Sequence, residues 1–260
     1  MPPGRPDRSR ERPRLPPTIL FDLDDTLFDH RFAARGALAH LRRHEPFLQR
    51  LPLARVAAEY FRTLEELHPE VLAGRLSKGA ARAERFRRLA ALAGESIGAQ
   101  DSARLARAYR EQYQRLRRAV PGAGPLLRRL HEESRIGIVT NNEVAEQEEK
   151  LRFIGLWPTV DALVISQAVG VSKPDPRIFR LALRELRASP RDAVMVGDSW
   201  TNDVRGARAA RIRPVWFNRF GAARPEPLRV AELSSWRPRA FVDRALAGVR
   251  ARADRGSRRR

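Results

Sequence analysis

Short apolar runs rich in β-branched residues recur along the chain, and each ends abruptly in polar residues or glycine. The five runs are residues 18–21, 136–139, 162–165, 193–196 and 214–217. Segments with helical spacing of their apolar positions lie between the later runs, at 143–154, 176–186 and 204–210. Continuous apolar runs that alternate with helices are typical of strands buried in a parallel sheet. The pattern therefore predicts an α/β fold with a doubly wound parallel sheet of five strands.

A long stretch after the first run has no strand pattern. Between residues 30 and 118, apolar side chains recur every three or four positions in several stripes, one of which contains Val56 and Tyr60. This is the spacing of amphipathic helices that bury one face. The pattern predicts a helical unit at 30–118, inserted into an α/β core that comprises residues 17–29 and 119–250.

Composition limits the chemistry and the partners. The 260 residues have a formal net charge of +20, carried almost entirely by Arg, and they include no cysteine. Disulfides, thiolate metal sites and cysteine nucleophiles are therefore excluded. A strongly basic chain suggests a nucleic-acid partner. The arginines are scattered over the whole chain, however, and no nucleic-acid-binding motif accompanies them, so we interpret them as solvated helix faces.

The two ends of the chain are basic. Residues 1–16 are rich in Arg and Pro, and residues 251–260 end in a run of Arg, so both are predicted to be disordered tails. The first segment lacks the apolar part of a secretory signal, and no apolar run is long enough to span a membrane. We therefore expect a cytoplasmic protein with no membrane partner.

Polar residues follow the predicted strands at the edge of the sheet where open α/β folds bind ligands. Asp22 and Asp24 follow the first strand, and side chains two positions apart on a strand point the same way. The later strand ends contribute Thr140, Asn141, Ser166, Lys173, Asp198, Ser199 and Asp203. Random loops would not place acids, a hydroxyl and a lysine there so regularly. The arrangement predicts an active site at this edge rather than a solvated turn.

The residue types at this edge suit phosphoryl transfer. The carboxylates of Asp22, Asp24 and Asp198 are the hard oxygen ligands that Mg²⁺ prefers. Thr140, the amide after it and Lys173 supply donors for an anion. A carboxylate that attacks phosphorus forms an acyl-phosphate. A second carboxyl group nearby can protonate the leaving oxygen and then activate water.

Four segments resemble the motifs of the haloacid dehalogenase (HAD) superfamily. The first motif, Asp-x-Asp-x-Thr followed by leucine or valine, is matched by Asp22-Leu23-Asp24-Asp25-Thr26-Leu27. Thr140 after a β-branched strand resembles the second motif, Lys173 the third, and residues 197–203 the acidic fourth. The helical insert directly after the first motif resembles the cap of the type-I branch. The resemblance implies a Rossmann-like HAD core with an inserted α-helical cap.

The resemblance also implies a role for each matched position. Asp22 would be the nucleophile, and Asp24 would be the general acid/base with its backbone carbonyl also on Mg²⁺. Thr140, Asn141 and Lys173 would bind the phosphoryl group. The metal would be bound by Asp22, Asp24 and Asp198. Asp203 and Ser199 would support these residues, with Asp203 orienting Lys173 or a metal-bound water. Dehalogenases of this family lack the second aspartate, so Asp24 indicates phosphate-ester hydrolysis.

The sequence therefore predicts a Mg²⁺-dependent phosphatase that hydrolyses a small phosphorylated metabolite through a phospho-aspartate. Residues 215–219 resemble a segment common among nucleotidase-like and sugar-phosphatase-like members, which makes a nucleoside monophosphate or a sugar phosphate the first candidate substrate. Two alternatives stay open, a nucleic-acid-binding protein on a HAD scaffold and a HAD phosphotransferase. The sequence does not distinguish a monomer from a homodimer.

Overall fold

Six parallel strands form the central sheet of the structure, a computed structural model that describes residues 17–247. The strands are β1 (Thr18–Phe21), β2 (Arg135–Thr140), β3 (Ala162–Ile165), β4 (Ala193–Gly197), β5 (Arg213–Phe217) and β6 (Ala231–Leu233). Their order across the sheet is β3-β2-β1-β4-β5-β6. The order runs in opposite directions on the two sides of β1, which is the property of a doubly wound sheet. The α/β prediction is confirmed; the predicted tails lie outside the described residues.

The sixth strand corrects the prediction of five. β6 is only three residues long and pairs with β5 at the edge of the sheet, with Leu233 opposite Phe217. Leu233 is its one buried residue, whereas Ala231 is exposed. A strand this short and this exposed has no apolar run, so the pattern that identifies buried strands does not detect it.

Helices cover both faces of the sheet. They are α6 (Ala123–His131), α7 (Val144–Phe153), α8 (Ser166–Val169), α9 (Pro176–Glu185), α10 (Gly206–Ala209) and α11 (Arg239–Ala247). Alternate residues of β1 point to opposite faces. Ile19 and Phe21 belong to an apolar cluster with Leu127 of α6, whereas Leu20 belongs to a second cluster with Phe179 of α9. Each face of the sheet is therefore buried under its own apolar layer.

The stretch between β1 and α6 consists of five helices with an apolar cluster of their own. They are α1 (His30–His44), α2 (Pro46–Gln49), α3 (Leu53–Leu72), α4 (Lys78–Leu92) and α5 (Ala99–Arg115). Tyr60, Phe86 and Tyr109 lie at the centre of the cluster, with ring centroids 4.8–5.9 Å apart. We call α1–α5 the helical insert. None of the described helices is long and apolar enough to cross a membrane.

Asp29 ties together the two connections between the helical insert and the sheet. Its side chain is buried and forms ion pairs with Arg118 at 2.8 Å and with Arg219 at 3.1 Å. Its backbone N–H donates to the carbonyl of Arg118, and that of Val120 donates to the carbonyl of Leu27. The chain therefore leaves the core and returns to it at one place, beside the carboxyl end of β1.

Candidate active site

Asp22 lies directly after β1 and is buried. Its N–H donates to the carbonyl of Val196 at 2.9 Å, which extends the pairing of β1 with β4 and fixes its position. The ammonium of Lys173 donates to Asp22 Oδ1 at 2.6 Å, and the hydroxyl of Thr26 donates to Oδ2 at 3.4 Å. Burial raises the pKa of Asp22 to about 7, although the charge of Lys173 acts in the opposite direction. The carboxylate is thus held next to a fixed cation.

Lys173 is held between two carboxylates. Its ammonium also donates to Asp203 Oδ1 at 2.7 Å, and the N–H of Ser199 donates to Asp203 Oδ2 at 2.9 Å. Burial disfavours the charge of Lys173, but Asp203 and Asp22 outweigh it and keep the pKa of Lys173 above its ordinary value. A Cβ atom on Gly197 would lie 2.3 Å from Asp203 Cγ, so only glycine leaves room for this carboxylate. That Asp203 orients Lys173 stays a prediction, and these contacts are compatible with it.

The second motif lies at the end of β2. The side chain of Asn141 bonds the backbone of Lys173 twice, donating to its carbonyl at 2.9 Å and accepting from its N–H at 2.8 Å. The side chain of Asn141 therefore positions Lys173. The backbone N–H of Asn141 is the group that it can offer to an anion. Thr140 Oγ1 accepts from the amide of Gln147 at 3.0 Å, so its hydroxyl proton is free to donate to a bound ligand.

Two residues of α7 that the sequence analysis did not nominate hold the side chain of Asp24. The ammonium of Lys150 donates to both carboxylate oxygens, at 2.8 and 2.9 Å, and the amide of Gln147 donates to Oδ2 at 3.1 Å. Lys150 is buried and also pairs with Glu146. Burial alone would raise the pKa of Asp24, but the charge and hydrogen bond of Lys150, together with the charge of His30, hold the pKa below its ordinary value.

A feature of the composition identifies Lys150 in retrospect. The 51 basic residues of the chain include only three lysines, Lys78, Lys150 and Lys173, and all three line one cavity. A lysine ammonium is a compact point charge, whereas the arginine guanidinium is a broad, planar fork. In a chain that otherwise uses arginine, each lysine therefore indicates a place where a compact cation is required.

Three carboxylates come close enough to share a cation. Oxygens of Asp22, Asp198 and Asp203 lie within 4.8 Å of one another. The predicted metal set contained Asp24 instead of Asp203. Because Lys150 holds the Asp24 carboxylate, Asp24 is left with its backbone carbonyl as a possible ligand, the role that the resemblance implies.

The carboxylate of Asp198 has no hydrogen-bond or ion-pair partner between residues 17 and 247. Burial raises the pKa of Asp198 well above its ordinary value, and the nearby charges of Asp22 and Asp203 add to this effect. Crowded acidic oxygens, one of them unpartnered, are the donor set that a hard divalent cation prefers. The residues therefore fit Mg²⁺.

Asp25, the third acid of the first motif, stabilises the loop. It has a positive φ of 60°, which is uncommon for a residue with a side chain. Its Oδ1 accepts from the N–H of Arg31 at 2.7 Å, and its carboxylate pairs with the Arg31 guanidinium at 3.4 Å. Asp25 thus joins the catalytic loop to the first turn of α1.

A cavity of about 380 Å³ lies between the strand ends and the helical insert. The core side contributes the catalytic candidates: Asp22, Asp24, Thr140, Asn141, Lys173, Asp198, Ser199 and Asp203. Helices α3, α4 and α5 contribute the other wall, which contains Phe61, Arg85 and Tyr113. Ser166, at the end of β3, does not belong to the lining; its hydroxyl donates to the carbonyl of Asn142 at 3.4 Å. Of the polar residues predicted at the strand ends, all but Ser166 therefore line one cavity, and their catalytic roles stay predictions.

The family follows from a comparison with known proteins. The model of the haloacid dehalogenase-like hydrolase family matches residues 16–211, which include all four motifs and the helical insert. The chain belongs to this family. The resemblance inferred from the four motifs is therefore confirmed, and with it the prediction of an enzyme of the hydrolase class.

Curated relatives of this HAD hydrolase include phosphatases. The chain is 43% identical over 104 residues to a phosphoserine phosphatase from Thermus thermophilus, a match that covers 38% of this chain and 41% of that protein. It is 30% identical over 229 residues to a glyceraldehyde 3-phosphate phosphatase from Methanopyrus kandleri, with coverage of 86% and 95%. The match thus spans about two fifths of the first relative and nearly the whole of the second.

Solved structures with the same fold extend the comparison. The HAD-hydrolase YfnB from Bacillus subtilis, bound to magnesium, has a TM-score of 0.67 at 26% identity, with coverage of 86% of this chain and 96% of that one. A 2-haloacid dehalogenase from Pseudomonas syringae has a TM-score of 0.54 at 28% identity, with coverage of 84% and 94%. The proteins similar to this chain therefore include both phosphatases and a dehalogenase.

Proposed function

We propose that this HAD hydrolase is a phosphatase that cleaves a small phosphomonoester through a phospho-aspartate. The observation that carries the proposal is the pairing of Asp22 with Lys173 at 2.6 Å in a cavity that also holds a second carboxylate, Asp24. A nucleophile, a fixed cation for the phosphoryl group and a group that can move a proton are the parts that the reaction requires. The phosphatase names of the relatives support it.

Mg²⁺ would be held by Asp22, Asp198 and the backbone carbonyl of Asp24. When bound, it would supply positive charge that neutralises the phosphoryl oxygens and the neighbouring carboxylates. Asp203 is close enough to belong to the same group, but both of its oxygens already accept hydrogen bonds, from Lys173 and Ser199. We therefore assign Asp203 to positioning Lys173.

The protein's own residues would carry the reaction in two steps. A carboxylate oxygen of Asp22 attacks phosphorus while the ester P–O bond breaks, and the departing alcohol oxygen takes a proton from Asp24. Water then gives a proton to Asp24 and attacks the phospho-aspartate, which releases phosphate and restores Asp22. Lys173, the hydroxyl of Thr140 and the N–H of Asn141 hold the phosphoryl oxygens throughout.

The contacts of Asp24 suit the second step directly. Lys150 keeps its carboxylate ionised, which is the form of a base. For the first step Asp24 must take up a proton and weaken its bond to Lys150. The side chain is 27% exposed toward the cavity, so a proton can reach it.

Removal of the nucleophile tests the proposal. We expect Asp22→Asn to lower the hydrolysis of p-nitrophenyl phosphate by at least about a thousandfold, because a carboxamide does not form the phospho-aspartate. Phosphate release by purified protein is the measurement, with thermal unfolding as the check on folding. Asp101→Asn, a change of an exposed acid on α5, is the matched control and should leave the rate unchanged. Full turnover by Asp22→Asn would refute the mechanism.

A second variant distinguishes hydrolysis from phosphoryl transfer to another metabolite. With p-nitrophenyl phosphate, whose leaving group needs no proton, Asp24→Asn should accumulate the phospho-aspartate, seen by mass spectrometry as one added phosphoryl group, because the base for the second step is missing. Wild-type protein in water without any added acceptor should release inorganic phosphate in amounts equal to the alcohol. Alcohol release without matching phosphate would favour the phosphotransferase alternative.

A further inference from the structure

The cavity wall formed by the helical insert carries cationic side chains that the proposed chemistry does not use. Lys78, Arg82 and Arg85 follow one another on α4 at spacings of four and three residues, so they lie on one face of the helix. Arg110 comes from the neighbouring α5, and all four line the cavity. The helical insert therefore presents a row of positive charge to the ligand space.

In the described part of the chain, Arg82 and Arg85 lack anionic partners. Within residues 17–247 neither forms an ion pair, and the Nε atom of each is buried without a hydrogen-bond acceptor. Arg85 Nη1 donates a hydrogen bond to the hydroxyl of Tyr60 at 3.2 Å. On other sides of the same helix, Arg87 and Arg88 both pair with Glu84. A buried donor without an acceptor costs free energy. Because both side chains line the cavity, a ligand there could supply the missing acceptor.

The charge of this wall is not balanced nearby. Glu65 is the only acidic residue that the described part of the helical insert contributes to the cavity lining, and it is exposed. Lys78 pairs with Glu143, which directly precedes α7, and with Glu146 of α7, whereas Arg82 and Arg85 form no ion pair within residues 17–247. The reacting phosphoryl group already has Lys173 on the core side, so the arginines are available to a different anionic group.

Apolar side chains share the cavity with these charged groups. Phe61, Leu64 and Val71 of α3 and Tyr113 of α5 line it. A cavity of about 380 Å³ accommodates a small metabolite rather than a macromolecule. A ligand that fills it would place a short carbon skeleton against these side chains, with one anionic group at Lys173 and one at the arginines.

We propose that Arg82 and Arg85, with Arg110 at the rim, form a second anion subsite, and that the substrate is a phosphomonoester with a second anionic group, either a carboxylate or another phosphate. The proposal rests on the proposed function, because it assigns the first anion to the phosphoryl group that Asp22 attacks. It narrows the substrate class to doubly anionic metabolites. Monophosphates of uncharged sugars lack the second anion that would pair with the arginines.

Matched substrate pairs test the subsite. 3-Phosphoglycerate and glycerol 3-phosphate differ by a carboxylate in place of a hydroxymethyl group, whereas fructose 1,6-bisphosphate and fructose 6-phosphate differ by a second phosphate. We expect kcat/KM to favour the doubly anionic member of at least one pair by roughly ten- to a hundredfold, the range for a hydrogen-bonded charge pair. The pair that shows the preference identifies the second group as a carboxylate or a phosphate.

Single variants assign that preference to the arginines. Arg82→Gln and Arg85→Gln should each reduce the preference roughly tenfold or more, while the rate with p-nitrophenyl phosphate, which has no second anion, stays within about threefold of wild type. Arg107→Gln, one turn before Arg110 on the exposed side of α5, is the control and should change neither rate. Thermal unfolding of both arginine variants checks that each is folded.

The outcomes separate this inference from the proposed function. A wild-type protein that hydrolyses p-nitrophenyl phosphate but favours the charged member of neither pair overturns the subsite and leaves the phosphatase intact. A preference that persists in both arginine variants also overturns it. Failure to hydrolyse any phosphate ester, with Mg²⁺ present, would instead refute the proposed function itself.

Discussion

Hydrogen bonds to its ammonium and to its backbone fix the position of Lys173. The ammonium lies 2.6 Å from Asp22 and 2.7 Å from Asp203, and Asn141 bonds the backbone of Lys173 on both sides. Asp203 reaches this position only because Gly197 has no side chain. The glycine of the fourth motif is therefore a positioning element of the site, although it offers no functional group of its own.

Adding one methyl group at this glycine tests that role. We expect Gly197→Ala to lower kcat at least about tenfold, because the new Cβ forces Asp203 away and Lys173 then loses its alignment. Phosphate release at saturating substrate is the measurement. Gly124→Ala is the control, since a Cβ there would have only ordinary contact, 3.5 Å from Arg128, and the rate should not change. Unchanged kcat in Gly197→Ala would mean that Asp203 can move without consequence.

The sequence identifies the residues of the motifs but not those that support them. Asp22, Thr140 and Asp198 stand at strand ends, where a pattern of apolar runs directs attention, and Lys173 lies in the loop that follows β3 and α8. Lys150 and Gln147 lie three residues apart inside α7, and such spacing is also what any surface helix shows. That Lys150 bonds Asp24 depends on how α7 packs against the loop after β1. This packing is a tertiary property that no local pattern contains.

At the level of elements, ion pairs of Lys78 join α4 of the helical insert to the start of α7 in the core. Lys78, the first residue of α4, pairs with Glu143 at 3.0 Å and also with Glu146. Glu146 pairs in turn with Lys150, so the charges continue to Asp24. The helical insert is thus connected to the acid/base residue by a chain of alternating charges.

This connection gives a pH dependence of stability. Burial opposes the charge of Glu146, but Lys150 and Lys78 outweigh it and hold its pKa well below the ordinary value of 4.5. The ionised form therefore stabilises the fold above pH 4.5, and this contribution is lost as pH falls through the lowered pKa. We expect Glu146→Gln to lower the free energy of unfolding by about 2 kcal/mol at pH 7 and by progressively less below pH 4.5.

Urea unfolding at a series of pH values is the measurement. Glu148→Gln, on the same helix, is the control, because its pair with Arg152 is exposed and should contribute almost nothing at any pH. A stability difference for Glu146→Gln that stays constant down to pH 3 would contradict an ionic origin.

Most elements of the core were predictable, and the exceptions have physical reasons. Five strands are buried over most of their length and contain continuous apolar runs, which makes them visible in the sequence. β6 has a single buried residue and is not visible. The helix predicted from residue 204 begins earlier, as a π-helix over Trp200–Arg205 that carries Asp203. The first turn of this helix carries polar residues that face the site. A prediction based on the spacing of apolar residues does not detect such a turn. The division into a cap at 30–118 and a core stays a prediction.

Across the whole molecule, the excess of arginine is spread over many small clusters. In the helical insert, Arg62 pairs with Glu59 and Glu66, and Arg104 pairs with Glu45. Such pairs on helix surfaces support the interpretation of the charge as solvated faces. The nucleic-acid alternative stays a hypothesis, and a gel-shift titration over salt concentration would decide it.

Metal removal is expected to affect both activity and overall stability. Chelation should abolish phosphate release and Mg²⁺ should restore it, because the acids around Asp22 repel an anionic substrate unless a cation neutralises them. Bound Mg²⁺ should also stabilise the fold, by about 2.7 kcal/mol at a hundredfold excess over Kd. Thermal unfolding of wild type and Asp198→Asn, with and without Mg²⁺, measures this effect. Equal stabilisation of the two proteins would place the ion elsewhere.

The scarcity of lysine has a practical consequence for chemical labelling. Two of the three side-chain amines, those of Lys150 and Lys173, are buried and engaged with acids, and the third, that of Lys78, is partly covered. An amine-directed reagent therefore has almost no side-chain target on the outer surface, in contrast to its behaviour with most proteins. Because all three lysines line the cavity, acylation of their side chains would depend on whether a ligand fills it. Such a reagent would therefore measure ligand occupancy without an engineered attachment point.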